Sequence, residues 1–385
     1  MALQSIYNGM GFRLDSAMMW STNAVTSNTM AAAGRSCAFI GKIYIDGAPA
    51  SKTISSAGGK IAFRTGTCTF ANAGTNFRVG IQDLASTGLE DGTFDVYADF
   101  TGGGGGIASN TPYEKAMTNG SKTLNHLGIY AICFETTARA GADSIIVQSY
   151  GNVDFFNSAV TEFPYRTVDT GAGVTRQSSA PYGAAIIFDD GTLGWIEGGW
   201  YCPDLTTGNI SFNSGSTPDE YGAVFKVPFT CSVRGGYLNV GSISSTDTFE
   251  IILYSDATGT PVAERTVTVD PNYVGAAAAG PAQVLVSFDS FTLTAGSWYG
   301  LMLRPTSANT IQLQYHLLDG TFDCSKYLKQ LPFGSNASLG ARTNQTGAFT
   351  DPFEFNVDYP IFGLLIDKLD DGVSAAVANC TVSLG

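Results

Sequence analysis

Charge is what this sequence has least of. Asp, Glu, Lys and Arg together supply 14% of its 385 residues, against roughly a quarter in an ordinary soluble domain. Of these, 20 are basic and 33 acidic, for a formal net charge of −13 at pH 7. A nucleic-acid partner needs clustered Lys and Arg to displace counterions from phosphates, so this balance argues against nucleic acid. It equally disfavours docking on an anionic membrane surface. No apolar run approaches the roughly 18 residues of a membrane span. Residues 1–14 also lack the basic start and apolar core of a secretion signal. The expectation is synthesis in the cytoplasm, with any exit by a route that needs no signal peptide.

The groups that usually carry chemistry are equally sparse. Histidine occurs twice, at His126 and His316, and no GxSxG elbow, HExxH pair or DxDxDG loop accompanies either. The seven cysteines (Cys37, Cys68, Cys133, Cys202, Cys231, Cys324 and Cys380) have irregular spacing and no CxxC. They read as small buried hydrophobes rather than a disulfide framework or metal site. The glycine run Gly102 to Gly106 lacks the Lys-Ser/Thr and helix start of a phosphate loop. No catalytic residue, metal or cofactor is expected.

Carboxylates are the one catalytic group that remains, since a glycosidase needs only two. Asp95 and Asp99 are four apart and face one side of a predicted strand. Glu90-Asp91, Asp189-Asp190 and Asp351 with Glu354 are further candidates. Asp91, Asp190 and Asp371 each precede Gly, where an acidic residue simply forms a turn. Such acidic loops could also take Ca²⁺ as a minor variant.

What the chain has in plenty is short alternating runs and turn residues, including 46 glycines. Residues 38–45, 60–64, 77–81, 94–98, 236–240, 248–254, 265–269, 283–288 and 298–303 read as strands. Asp46-Gly47, Asn119-Gly120, Asp190-Gly191 and Asp319-Gly320 punctuate them. The order of these features repeats. Gly11 to Trp20 lies against Gly191 to Trp200, and Gly58 to Ile61 against Gly235 to Leu238. Phe77 to Ile81 lies against Phe249 to Leu253, and Thr123-Leu124 with Tyr130 and Ile132 against Thr292-Leu293 with Tyr299 and Leu301. Ile145, Val147 and Gln148 match Ile311, Leu313 and Gln314, and Ile186 to Phe188 match Leu364 to Ile366. The expected fold is all-β: two tandem, jelly-roll-like β-sandwich domains related by internal duplication, over residues 1–190 and 191–385.

Comparing the copies sorts the aromatics. Trp20 and Trp200 are equivalent, which points to the shared core. Trp195, Tyr201, Trp298 and Tyr315 fall on non-aromatic positions of the other copy and are the candidate ligand-binding residues. Flat rings of this kind stack on sugar faces or anchor subunit contacts.

The stretch Ile54 to Gly106 resembles segments of uncharacterised phage and prophage virion-associated proteins of tail, fibre or head-decoration type. The resemblance implies a structural or host-binding role and transfers no functional residues. The expected function is thus that of a non-catalytic virion protein, tail or capsid-attached, released with the particle. Its expected partners are copies of itself, other virion proteins and a host-surface glycan. Two alternatives stay open: a polysaccharide-active enzyme using a pair such as Asp95 and Asp99, and a stand-alone carbohydrate-binding module.

Overall fold

The computed structural model describes residues 4–5, 12–15, 25–47, 50–103, 106–150, 165–169, 173–177, 183–196, 205–213, 219–227, 229–243, 248–270, 282–306, 310–318, 326–327, 333, 336–350 and 358–369. Among these the chain is all-β, with antiparallel pairing throughout and only 3-10 turns such as Thr343–Gln345 beside the strands. Two compact units emerge, neither continuous in sequence. The N-half unit takes Met18–Asp204 and Thr321–Gln330; the C-half unit takes Met1–Ala17, Leu205–Gly320 and Leu331–Gly385.

The long strand Arg35–Ile45 organises the N-half unit, because it is long enough to serve two sheet sections. Its first part pairs with Ile129–Ala138, and its last residues pair with Leu193–Ile196. From there the sheet runs one way through Asn76–Leu84 and Glu90–Thr101 to Asn119–Asn125. The other way it runs through Ala184–Ile187 and Lys60–Arg64 to Pro112–Ala116. Period-2 alternation aims Phe39, Ile43, Phe63, Phe77, Val79, Phe100, Phe134 and Ile186 into one sandwich-like core. Gly80 is required at its place, since a Cβ there would stand 2.2 Å from the Val96 carbonyl oxygen.

A buried carboxylate ties two loops of this unit together. Asp143 accepts hydrogen bonds from the Thr75 hydroxyl at 2.7 Å and from the N–H groups of Asn72 and Ala71 at 3.0 and 3.2 Å. Burial alone would raise its pKa, but these hydrogen bonds outweigh it and bring the group down to about 2. A carboxylate whose pKa is depressed in the fold stabilises fully above its unfolded value, near 4. That contribution is lost as the pH falls through about 2. Protection of the Ala71 and Asn72 amides is therefore expected to fall between pH 4 and 2 in the native chain. An Asp143→Asn chain should show no such step, and amide hydrogen exchange against pH checks both.

In the C-half unit one sheet runs Val262–Val269, Phe249–Ser255, Trp298–Pro305, Glu220–Lys226 and Ala337–Arg342. The other runs Phe12–Asp15, Phe362–Leu369, Cys231–Ile243, Thr310–Leu318 and Leu205–Asn213, with Ala282–Leu293 also on Cys231–Ile243. Phe225, Phe333 and Phe362 meet with ring centroids 4.7–5.5 Å apart.

Certain registers recur inside the two units. Ile132 stands opposite Ile81 and Thr136 opposite Phe77; Leu301 stands opposite Leu253 and Pro305 opposite Phe249. The Tyr130 hydroxyl accepts the Asn125 N–H at 3.1 Å, and the Tyr299 hydroxyl accepts the Thr294 N–H at 2.8 Å. Ile186 pairs with Gly194, and Leu364 pairs with Leu14.

Candidate functional site

Local alternation on Arg35–Ile45 turns Ile43 and Ile45 into the core and leaves Tyr44 on the opposite face. The register then sets Tyr44 directly across from Trp195. Their rings lie 4.9 Å apart at 35°, and the His126 imidazole meets Tyr44 at 4.8 Å, edge-on. His126 Nδ1 accepts the Ile45 N–H at 3.1 Å. That bond needs the Nδ1 lone pair and so selects the tautomer protonated at Nε2. Next in sequence, Leu127 is 42% exposed and Ile129 36% exposed. Ile129 stands opposite Lys42, two residues along the strand from Tyr44. The result is an apolar and aromatic patch bordered by the His126 ring edge and the exposed Lys42, formed where a turn meets two neighbouring strands.

Trp195 itself is only 7% exposed, so it backs this patch more than it presents a face. Trp298 opens the strand Trp298–Pro305 in the C-half unit, half-buried, with Lys226 Nζ 4.6 Å from its ring. It packs against a small cluster that includes Ile252, Met302 and Phe349. Tyr315 is 9% exposed and covers Gly208, where a Cβ would stand 2.3 Å from the tyrosine ring. Tyr201 lies outside the described residues, as do Trp20 and Trp200. Trp195, Trp298 and Tyr315 stand on three different sheets.

Most of the described candidate carboxylates are committed to neighbours, while Glu90 accepts the Thr167 hydroxyl at 2.9 Å with one oxygen and keeps the other buried without a hydrogen bond. Asp99 takes both arms of the Arg78 guanidinium at 2.8 and 3.0 Å, and that guanidinium lies 3.8 Å over the Tyr97 ring. Asp95 lies 3.2 Å from Lys122, which also bonds Asp83. A substrate at this pair would have to displace both cations. Asp189 accepts the Ser55 N–H and hydroxyl at 2.7 and 2.6 Å. Asp190 bonds Lys52, the main reason its pKa falls to about 2. Asp91 accepts the Thr93 N–H at 2.8 Å, the turn role read from its place before Gly92. Asp351, Glu354 and Asp371 lie outside the described residues.

Cys202, Cys324 and Cys380 lie outside the described residues and Cys68 is half-buried, while burial quenches other reactive groups among the described residues. Desolvation lowers the His316 pKa to about 3 and raises that of the Cys231 thiol to about 12, with Cys37 and Cys133 raised as well. A neutral imidazole and protonated thiols in the interior behave as packing groups. Two groupings escaped the sequence reading. One is the Tyr44, His126, Leu127 and Ile129 patch; the other is a buried ionic network around Glu220. Alternation signals that Tyr44 points outward, but which side chains stand beside it depends on register across long stretches of chain. No protein-family model and no curated protein sequence matches this chain.

Proposed function

We propose that this chain is a non-catalytic structural protein of a bacteriophage-type virion, built from two copies of one jelly-roll-like sandwich. It assembles with copies of itself and other virion proteins, and it offers a host glycan the aromatic patch at Tyr44. The observation that carries the reading is how polar and apolar groups are distributed. The charged side chains that might do chemistry are spent on ion pairs within the sheets, while Tyr44, Leu127 and Ile129 remain at the surface. Duplication is supported by registers: residues matched in sequence, such as Ile132 with Leu301 and Ile81 with Leu253, are also matched as cross-strand partners. The two tyrosines that bond a backbone N–H five residues earlier are a second matched pair. The virion assignment draws on the resemblance of Ile54 to Gly106.

Mass spectrometry of gradient-purified particles from a producing strain tests the virion reading. The chain is expected at stoichiometric level, and a monomer absent from particles would overturn the proposal. On a glycan array, Tyr44→Ala is expected to weaken binding about tenfold, the loss of one stacking contact of ~1.4 kcal/mol. Trp298→Ala is expected to leave it unchanged. Trp195→Ala is the poorer probe, since its burial confounds binding with stability. Equal binding by native and Tyr44→Ala chains would remove the patch from the proposal.

A further inference from the structure

We infer that the strand Phe12–Asp15 is exchangeable between copies of this chain, so that one copy completes the C-half sheet of another. The inference deepens the self-assembly part of the proposed function and rests on the duplication within that reading. Its starting point is that two strands matched in the sequence comparison, Ala184–Ile187 and Phe362–Leu369, each carry one further strand on one side. In the N-half unit Ala184–Ile187 carries Leu193–Ile196, and in the C-half unit Phe362–Leu369 carries Phe12–Asp15. The register positions correspond under the sequence match, with Gly194 opposite Ile186 and Leu14 opposite Leu364.

The two added strands are retained very differently. Leu193–Ile196 follows its partner through a tight turn, in which the Gly191 N–H bonds the Phe188 carbonyl and the Phe188 N–H bonds the Thr192 carbonyl, both at 2.9 Å. Gly191 has φ of +82°, as that turn requires. Arg35–Ile45 pairs with its other side, so the strand is locked between two neighbours. Phe12–Asp15, by contrast, reaches its partner from the opposite end of the sequence. Its ladder has four positions, from Phe12 with Ile366 to Asp15 with Gly363, and on its far side, among the described residues, stands the two-residue strand Gln4–Ser5.

The vacated edge would be costly to leave bare. Residues Phe362 to Ile366 are all buried, and without the added strand one row of their N–H and C=O groups loses its partners. Strand addition satisfies such an edge whether the strand comes from the same chain or another. The contacts are identical in both cases, so only effective concentration decides between them. The equivalent strand in the N-half unit has no such freedom, because its turn fixes it in place. A strand supplied by a second copy is the occupant that reproduces every native pairing.

The test uses full chains carrying Arg13→Cys and Leu365→Cys, which stand opposite each other in the ladder. Light and ¹⁵N-labelled chains are refolded together at high concentration, oxidised, fractionated by size and mapped by mass spectrometry. The oligomer is expected to hold mixed light–heavy bridges as often as all same-isotope bridges together, and the monomer none. Only same-isotope bridges in the oligomer would overturn the exchange while leaving assembly through another surface intact. A chain that is monomeric at every concentration would overturn both exchange and self-assembly, while particle content still decides the virion reading. Should the double variant fail to fold, the unsubstituted chain is refolded with excess synthetic peptide of residues 1–17. The peptide is expected to shift oligomer to monomer, and an unchanged size distribution overturns the inference.

Discussion

Replacing Glu220 by Ala is expected to destabilise the C-half unit by about 3–5 kcal/mol, the usual cost of stripping one partner from a buried ionic group. Glu220 is fully buried opposite Arg342 on the neighbouring strand. One oxygen accepts Arg342 Nε at 2.7 Å; the other accepts the Tyr254 hydroxyl at 2.5 Å and lies 3.3 Å from Arg304 Nη1. Arg304 keeps Glu250 at 2.7 Å, but among the described residues Arg342 pairs with no second carboxylate, and its guanidinium lies against the Tyr254 and Phe349 rings. Loss of Glu220 therefore leaves a buried guanidinium without its counter-charge. Desolvation would be relieved if both partners went, so Glu220→Leu with Arg342→Leu is expected to cost less than Glu220→Leu alone. With two units, a single melting curve does not isolate one of them. Hydrogen exchange of the Glu220–Lys226 amides, referenced to Ile129–Ala138, measures the effect. Equal loss in single and double variants would mean that packing, not charge pairing, holds this corner.

Phe63→Ala is expected to cost the N-half unit a comparable ~3–5 kcal/mol, through lost burial and the cavity left behind. Phe63 is fully buried, and its ring centroid lies 5.3–6.1 Å from those of Phe77, Phe100, Tyr113 and Phe134. These neighbours come from four different strands, so no single shift closes the void. The exposed Leu127→Ala is the contrast, with an expected change within ~0.5 kcal/mol. Exchange of the Asn76–Leu84 amides reports both. A Phe63→Ala chain as protected as the native one would show that this core repacks freely.

The runs read as strands from alternation alone, including Lys60 to Arg64, Phe77 to Ile81 and Trp298 to Leu303, lie within strands, save that Thr248 stands one residue before Phe249–Ser255. They were legible because larger apolar residues alternate with small or polar ones, although both faces of Lys60–Arg64 and Trp298–Pro305 are in fact covered. Asn119–Asn125 was not legible. Its sequence, NGSKTLN, is polar and opens with a turn pair, yet it is drawn into the sheet by Ser51–Ser55 and Glu90–Thr101 on either side. Propensity yielded there to neighbours supplied by the fold. The candidate site divides in the same way. Trp195 stood out because the residue matched to it in the sequence comparison is not aromatic, but its burial and its partner Tyr44 are consequences of register.

Composition and local pattern were enough for the all-β class, for the placement of nine of the strands, and for the small complement of charge. Each of these follows from composition or from contacts between near neighbours, and both can be read along the chain. It took the assembled sheets to set Arg78 against Asp99, His126 against Tyr44, and Phe12–Asp15 against Phe362–Leu369. Pairing between distant strands depends on how whole sheets share a core, and a ladder of backbone hydrogen bonds accepts many sequences equally well. Such partners become specific only once every face has been buried at the same time.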